Sequence, residues 1–183
     1  MKKSILIFLI ILFTAGCINE TKTDEVIKFK TTDLKKAKNI SEMIDEINKN
    51  PYDFLTPYDG FIYDNISTSS SDNRITVKAS SKELEGDDIY LFIYENGSLI
   101  LKSYSLEALP SSLKDEAVAI ALSNEKVYRN AKGELTVRRI LPHTAAKYYM
   151  AKELFSVTWH GDRIVSALVD VEDGIIVKTY FSE

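Results

Sequence analysis

The chain has 183 residues, of which 45% are hydrophobic and 27% charged, the composition of an ordinary globular domain and not of a collagenous, low-complexity or polytopic membrane chain. The 23 Lys and Arg stand against 27 Asp and Glu, a formal net charge of -4, which argues against the basic footprint of a nucleic-acid-binding protein. Seven Gly and four Pro leave little material for a Gly-rich phosphate loop, so nucleotide binding lacks its usual motif.

The first residues read as an address. Lys2 and Lys3 precede an unbroken apolar run at 5–13, followed by Thr14-Ala15-Gly16-Cys17, the layout of a secretory signal. As a helix the run would reach only about 14 Å, roughly half of a ~30 Å hydrocarbon core. Ala15-Gly16 before Cys17 resembles the lipobox of prokaryotic lipoproteins, although Thr14 stands where that motif prefers an aliphatic residue. The resemblance implies cleavage before Cys17 and a diacylglycerol on its thiol. Cys17 is the single cysteine, so an internal disulfide is impossible and lipidation is the use that fits. The expected order is a signal peptide at 1–16, a polar tether at 17–31, and a chain anchored by lipid to the extracytoplasmic side of the cell envelope. Asn19, Asn39, Asn65 and Asn96 each open an Asn-x-Ser/Thr triplet, which matters only in a host that glycosylates exported chains.

Beyond the tether, Leu34, Ala37, Ile40, Met43, Ile44 and Ile47 recur at spacings of three and four and predict a helix over 33–50, ended by Pro51. Segments 60–66, 74–79, 89–95 and 98–104 are rich in Ile, Val, Thr, Tyr and Phe and predict four strands. Asn96-Gly97 between the last two predicts a type I′ hairpin, because both residues tolerate positive φ. The Ser67–Ser71 run reads as a polar loop. A second helix is expected over 112–130, with Ser111 or Ser112 as N-cap, followed by strands at 135–141, 153–160, 163–171 and 175–181. Residues 142–152 leave three readings open, an insertion, an extra helical turn or an exposed strand edge.

Helix then four strands thus occurs twice, and Glu95-Asn96-Gly97 with its returning strand parallels Glu172-Asp173-Gly174 with 175–180. The reading is a degenerate tandem repeat with a period of about 76 residues. Its fold class is α+β, two tandem helix-plus-antiparallel-sheet units at 32–108 and 109–183.

The Ala-rich stretch 115–127, the strand at 154–158, Gly161, residues 167–170 and the closing Val169-Asp170-Val171-Glu172-Asp173-Gly174 turn together resemble PepSY-like domains over the C-terminal half, with a diverged copy before it. That resemblance implies a helix packed on an antiparallel sheet, an extracytoplasmic setting, and a role in binding or restraining a peptidase or another envelope or secreted protein. It supplies no catalytic residue.

The residues themselves offer little chemistry. His143 and His160 lack ligand spacing, and no Gly-x-Ser-x-Gly elbow is present. His160 reads as a turn residue; His143 is the one an unexpected hydrolase would use. The spacing of Asp87, Asp88, Asp170, Glu172 and Asp173 demands no acid–base or cation chemistry, and the loop 170–174 reads as a hairpin turn, short of the ligand ladder of a calcium loop. No catalytic residue, metal or cofactor is expected. Within 89–95, Ile89, Leu91 and Ile93 alternate with Tyr90, Phe92 and Tyr94, so both faces are apolar and both are expected to be covered. Tyr90, Phe92, Tyr94 and Tyr104 are therefore the expected interface with a partner protein. The rival reading is a small ligand or peptide held between the two halves by aromatic walls.

Overall fold

The computed structural model describes residues 39–147 and 149–182. Its elements are α1 (Ile40–Lys49), a 3-10 turn (Pro51–Asp53), β1 (Asn65–Ser71), β2 (Arg74–Ser80), β3 (Asp88–Glu95), β4 (Ser98–Leu106), α2 (Ser111–Leu122), α3 (Glu125–Asn130), β5 (Glu134–Ile140), α4 (Pro142–Ala146), β6 (Leu154–His160), β7 (Ile164–Asp170) and β8 (Ile175–Phe181). The eight strands form one antiparallel sheet in the order β1 to β8. This overturns the expected pair of tandem helix-plus-sheet units. The physical reason is the pairing of β4 with β5 at Leu106 and Arg139, which carries one sheet across the middle of the chain.

Local chemistry explains most boundaries. Asn39 is extended, and its side chain accepts the N–H of Glu42 at 3.0 Å, so the helix starts at Ile40 with one orphan donor satisfied. The expected helix over 112–130 is two. Ser123 and Asn124 interrupt it, and the Asn124 side chain accepts from the N–H groups of Lys126 and Val127 to cap α3. The Ser67–Ser71 run is strand, not loop, because β2 supplies a partner for each of its residues and Asp72 takes the positive φ of 55° that the turn requires. Asn96 and Gly97 have φ of 53° and 78°, as a type I′ turn demands. Gly133 has φ of 92°, and a Cβ there would lie 2.2 Å from the His160 carbonyl oxygen, so only glycine fits where β5 starts beside the β6 end.

Three of the helices, α1, α2 and α3, lie on one face, here the inner one. Met43 and Ile47 of α1 cover Ile75, Val77, Tyr90 and Phe92 of the first four strands, whereas Ala117 and Ala121 of α2 and Val127 of α3 cover Val157, Trp159 and Val165 of the last four. Each fully buried side chain of this size contributes about 1.5–3 kcal/mol. On the outer face, α4 and Met150 pack on β6 and β7, burying Ala145, Leu154 and Leu168 with Ile140, Met150 and Val177. Ile89, Leu91 and Ile93 of β3 share that outer face but are half-buried or exposed, and no described element packs on them. The expectation that β3 is covered on both sides is corrected accordingly: its Tyr90 side is buried and its Leu91 side is open.

Candidate functional site

The sheet is weakest where β4 meets β5. A single residue pair joins them, so side chains bond main-chain groups that a ladder would otherwise satisfy. Strand alternation puts Arg139 on the same face as Val137, in the apolar layer, where it is only 3% exposed. Its guanidinium donates to the Pro57 carbonyl at 3.2 Å and to the Thr56 carbonyl, two groups more than eighty positions earlier. It lies 3.5 Å from the Glu153 carboxylate and 5.5 Å from the centre of the Tyr58 ring. Its Nε, also buried, has no partner among the described residues.

A second chain of bonds runs beneath it. Asp88, fully buried at the start of β3, accepts from the Tyr63 hydroxyl at 2.6 Å and the Ala108 N–H at 2.8 Å. The Tyr63 and Tyr90 hydroxyls are 2.8 Å apart, and Tyr90 meets both the N–H (3.0 Å) and the carbonyl (3.1 Å) of Thr56. Burial raises Asp88 above the ordinary carboxylate value, against the pull of the Tyr63 and Ala108 hydrogen bonds and of Arg139. Burial likewise pushes Tyr63 up, and Tyr90 up to about 12. These are the marks of a desolvated polar network.

On the helix side of this junction lies a cleft of about 370 Å³, walled by Tyr58, Leu113, Phe155 and Val171 with Lys152 and Glu153 at its polar side. Burial raises Glu153, with Asp59 adding to the effect and Arg139 opposing it, and burial followed by the Glu153 charge raises Tyr58. Lys152 is 3.3 Å from Asp170, 3.4 Å from Glu172 and 2.7 Å from Asp173. Burial alone would raise Asp170, but the Asp173 N–H and the Lys152 ammonium hold it below its ordinary value. The arrangement can hold a small amphipathic ligand between an aromatic wall and a charged rim. Among the described residues no group of three or more His, Cys, Asp and Glu is placed to hold a metal ion.

Of the residues singled out from sequence, Cys17 lies outside the described residues. Tyr90 and Phe92 are buried under α1, and Tyr94 and Tyr104 are half-buried on the same inner face; all four face their own chain. The Tyr104 hydroxyl donates to Thr144 Oγ1 at 2.6 Å. His160 Nε2 sits 3.2 Å from Thr136 Oγ1 at the end of β6, and His143 is exposed on α4. Sequence reasoning missed Arg139, Glu153, Tyr58 and Tyr63. A signal for Arg139 was present: of the adjacent pair Arg138-Arg139, one must share the face of Val137.

No family model, curated protein or solved structure matches this chain.

Proposed function

We propose that this chain is a non-catalytic extracytoplasmic lipoprotein, anchored to the membrane through Cys17, that binds another envelope or secreted protein, a peptidase among the candidates. The observation that supports it most is the outer face of β3 and β4, where Ile89, Leu91, Ile93 and Ile100 form an aliphatic stripe that no described element covers. Contiguous apolar surface on a sheet face is what a partner protein buries. This reading puts the partner on the face of β3 and β4 opposite to Tyr90, Phe92, Tyr94 and Tyr104. Nothing in this reading calls for nucleic acid.

The test is crosslinking in native membranes with a photoreactive residue placed at Leu91 or Ile93, followed by pull-down and mass spectrometry. A single abundant adduct from these positions, reduced in Cys17→Ser when that variant leaves the membrane, is the expected result. No adduct while the protein remains membrane-bound would sink the reading. A second reading, a small ligand or peptide held at the junction, rests on the cleft beside Tyr58 and Glu153. A rise in melting temperature with added peptides, lost in Tyr58→Ala, would favour it.

A further inference from the structure

Lys152 shows what the polar side of the junction cleft collects. This ammonium of the chain itself sits 2.7 Å from Asp173, 3.3 Å from Asp170 and 3.4 Å from Glu172, and Glu172 lines the cleft together with Glu153. The Arg139 guanidinium makes a second contact of this kind, 3.5 Å from Glu153 and beside the Tyr58 ring. The charges of Asp59 and Glu116 also act on the Tyr58 hydroxyl. Among the described groups that line the cleft, pair with its lining or act on Tyr58, two cations therefore meet six carboxylates. The N-terminus of α2, where Pro110 offers no side-chain cap, adds a partial positive charge of about one half near Leu113. The balance stays strongly negative.

The rest of the wall is apolar. Tyr58, Leu113 and Val171 are half-buried and Phe155 is 4% exposed, so an occupant leaves water for two rings and two aliphatic side chains. The volume of about 370 Å³ falls in the range of small-molecule sites, roughly 300–1,000 Å³, which is room for a whole small molecule and not only for one side chain. A negative rim beside an aromatic wall selects a cation with an apolar body. Ionised carboxylates only accept hydrogen bonds, so the head group that suits them is one that donates.

We propose that the cleft binds a small amphipathic amine, with its ammonium toward Glu153 and Glu172 and its hydrocarbon part against Tyr58, Leu113, Phe155 and Val171. The inference rests on the second reading above, a small ligand held at the junction, and adds the charge, head group and size of that ligand. The cleft is on the helix side of the sheet, so a protein bound to the outer face of β3 and β4 neither requires nor excludes it.

The test uses the full-length chain, methyl-labelled at Leu and Val, in phosphatidylcholine nanodiscs, with probe concentrations corrected for uptake by empty nanodiscs. Hexylammonium, hexanol and hexanoate are the probes, one chain length with three charges. The methyl signals of Leu113 and Val171 report occupancy of the cleft. Saturable shifts with hexylammonium are expected, with binding about tenfold or more weaker for hexanol, for hexanoate and for the Glu153→Gln variant. Because Glu153→Gln also takes a partner from Arg139, its urea midpoint is read first. If that midpoint falls, Glu172→Gln with Asp59→Asn, at two exposed positions, takes its place. An unchanged dissociation constant in the folded carboxylate variant overturns the proposal. Equal binding of the three probes overturns the amine and leaves a ligand cleft standing, whereas no saturable shift with any of them, and no thermal shift with peptides, removes both. Tighter binding of a Gly-Gly-Lys-Gly-Gly peptide than of hexylammonium assigns the cleft to a lysine of a protein and overturns the small molecule.

Discussion

Leu91 in β3 and Leu168 in β7 stand on the same outer face of the same sheet, yet Leu168 is 4% exposed while Leu91 is only half-buried. The difference comes from the connections. β1–β2 and β3–β4 turn back after two residues, too few to reach over the sheet, whereas residues 141–153 between β5 and β6 are long enough to lay α4 and Met150 across β6 and β7. In this fold, whether a face is closed is decided by hairpin loop length as much as by strand composition. The apolar residues of β3 are no fewer than those of β7, but nothing returns to cover them.

The largest expected effect is at the joint between these regions. Arg139→Met keeps the volume but leaves the Thr56 and Pro57 carbonyls without their donor and Glu153 without its partner, and should lower unfolding free energy in urea by about 3–5 kcal/mol. A loss below that of an exposed ion pair would mean the two parts of the sheet hold together without it. Next, Leu154→Ala should cost about 2–4 kcal/mol, because it empties a fully buried site beneath Ala145 and Met150. Leu91→Ala on the open part of the face should cost clearly less, and equal losses would erase the contrast drawn above.

The two buried aspartates sharpen the comparison through pH. Asp88 titrates above the ordinary value of 3.8 in the folded chain and Asp170 below it. Asp88 therefore lowers stability as pH rises from its unfolded value through its raised folded one. Asp170 adds stability that is complete above the unfolded value and is lost as pH falls through its lowered folded one. Urea midpoints followed from about pH 2 to 8 should show the first slope, above the unfolded carboxylate value, removed by Asp88→Asn and the second, opposite slope, below it, removed by Asp170→Asn. Two variants that change the slope in the same direction would contradict the environments described for them. The smallest effect is expected for Ile93→Ser, within about 0.5–1 kcal/mol, accompanied by loss of the crosslinked partner.

Much of this architecture is legible in the sequence, and the gaps have identifiable causes. Strands with their own alternation, such as Arg74–Ser80 and Ile175–Phe181, are readable because each carries a face pattern independent of its neighbours. The Asn96-Gly97 turn is readable because the backbone demands those residues. Asn65–Ser71 is not, since its strand conformation is supplied by β2 and not by the propensity of serine. The break at Asn124 hides inside an apolar period that continues through it. The single sheet hinges on one pair, Leu106 with Arg139, and no local pattern announces a contact made once. Arg139 was overlooked for the same reason that it matters: a charge in an apolar layer has meaning only when its distant carbonyl partners are known.

Strands here pair with their nearest neighbours along the chain, so the hairpin ladders close shorter loops than the 33 positions between Leu106 and Arg139. The bonds from Arg139 to Thr56 and Pro57 are the long closures, spanning 83 and 82 positions. Loop-closure entropy favours the local hairpins early and the long tie late. The junction is thus expected to form last and to open first. In stopped-flow measurements Arg139→Met should leave the refolding rate nearly unchanged and speed unfolding, the signature of a contact absent from the transition state. A matching slowdown in refolding would place the tie in the nucleus instead.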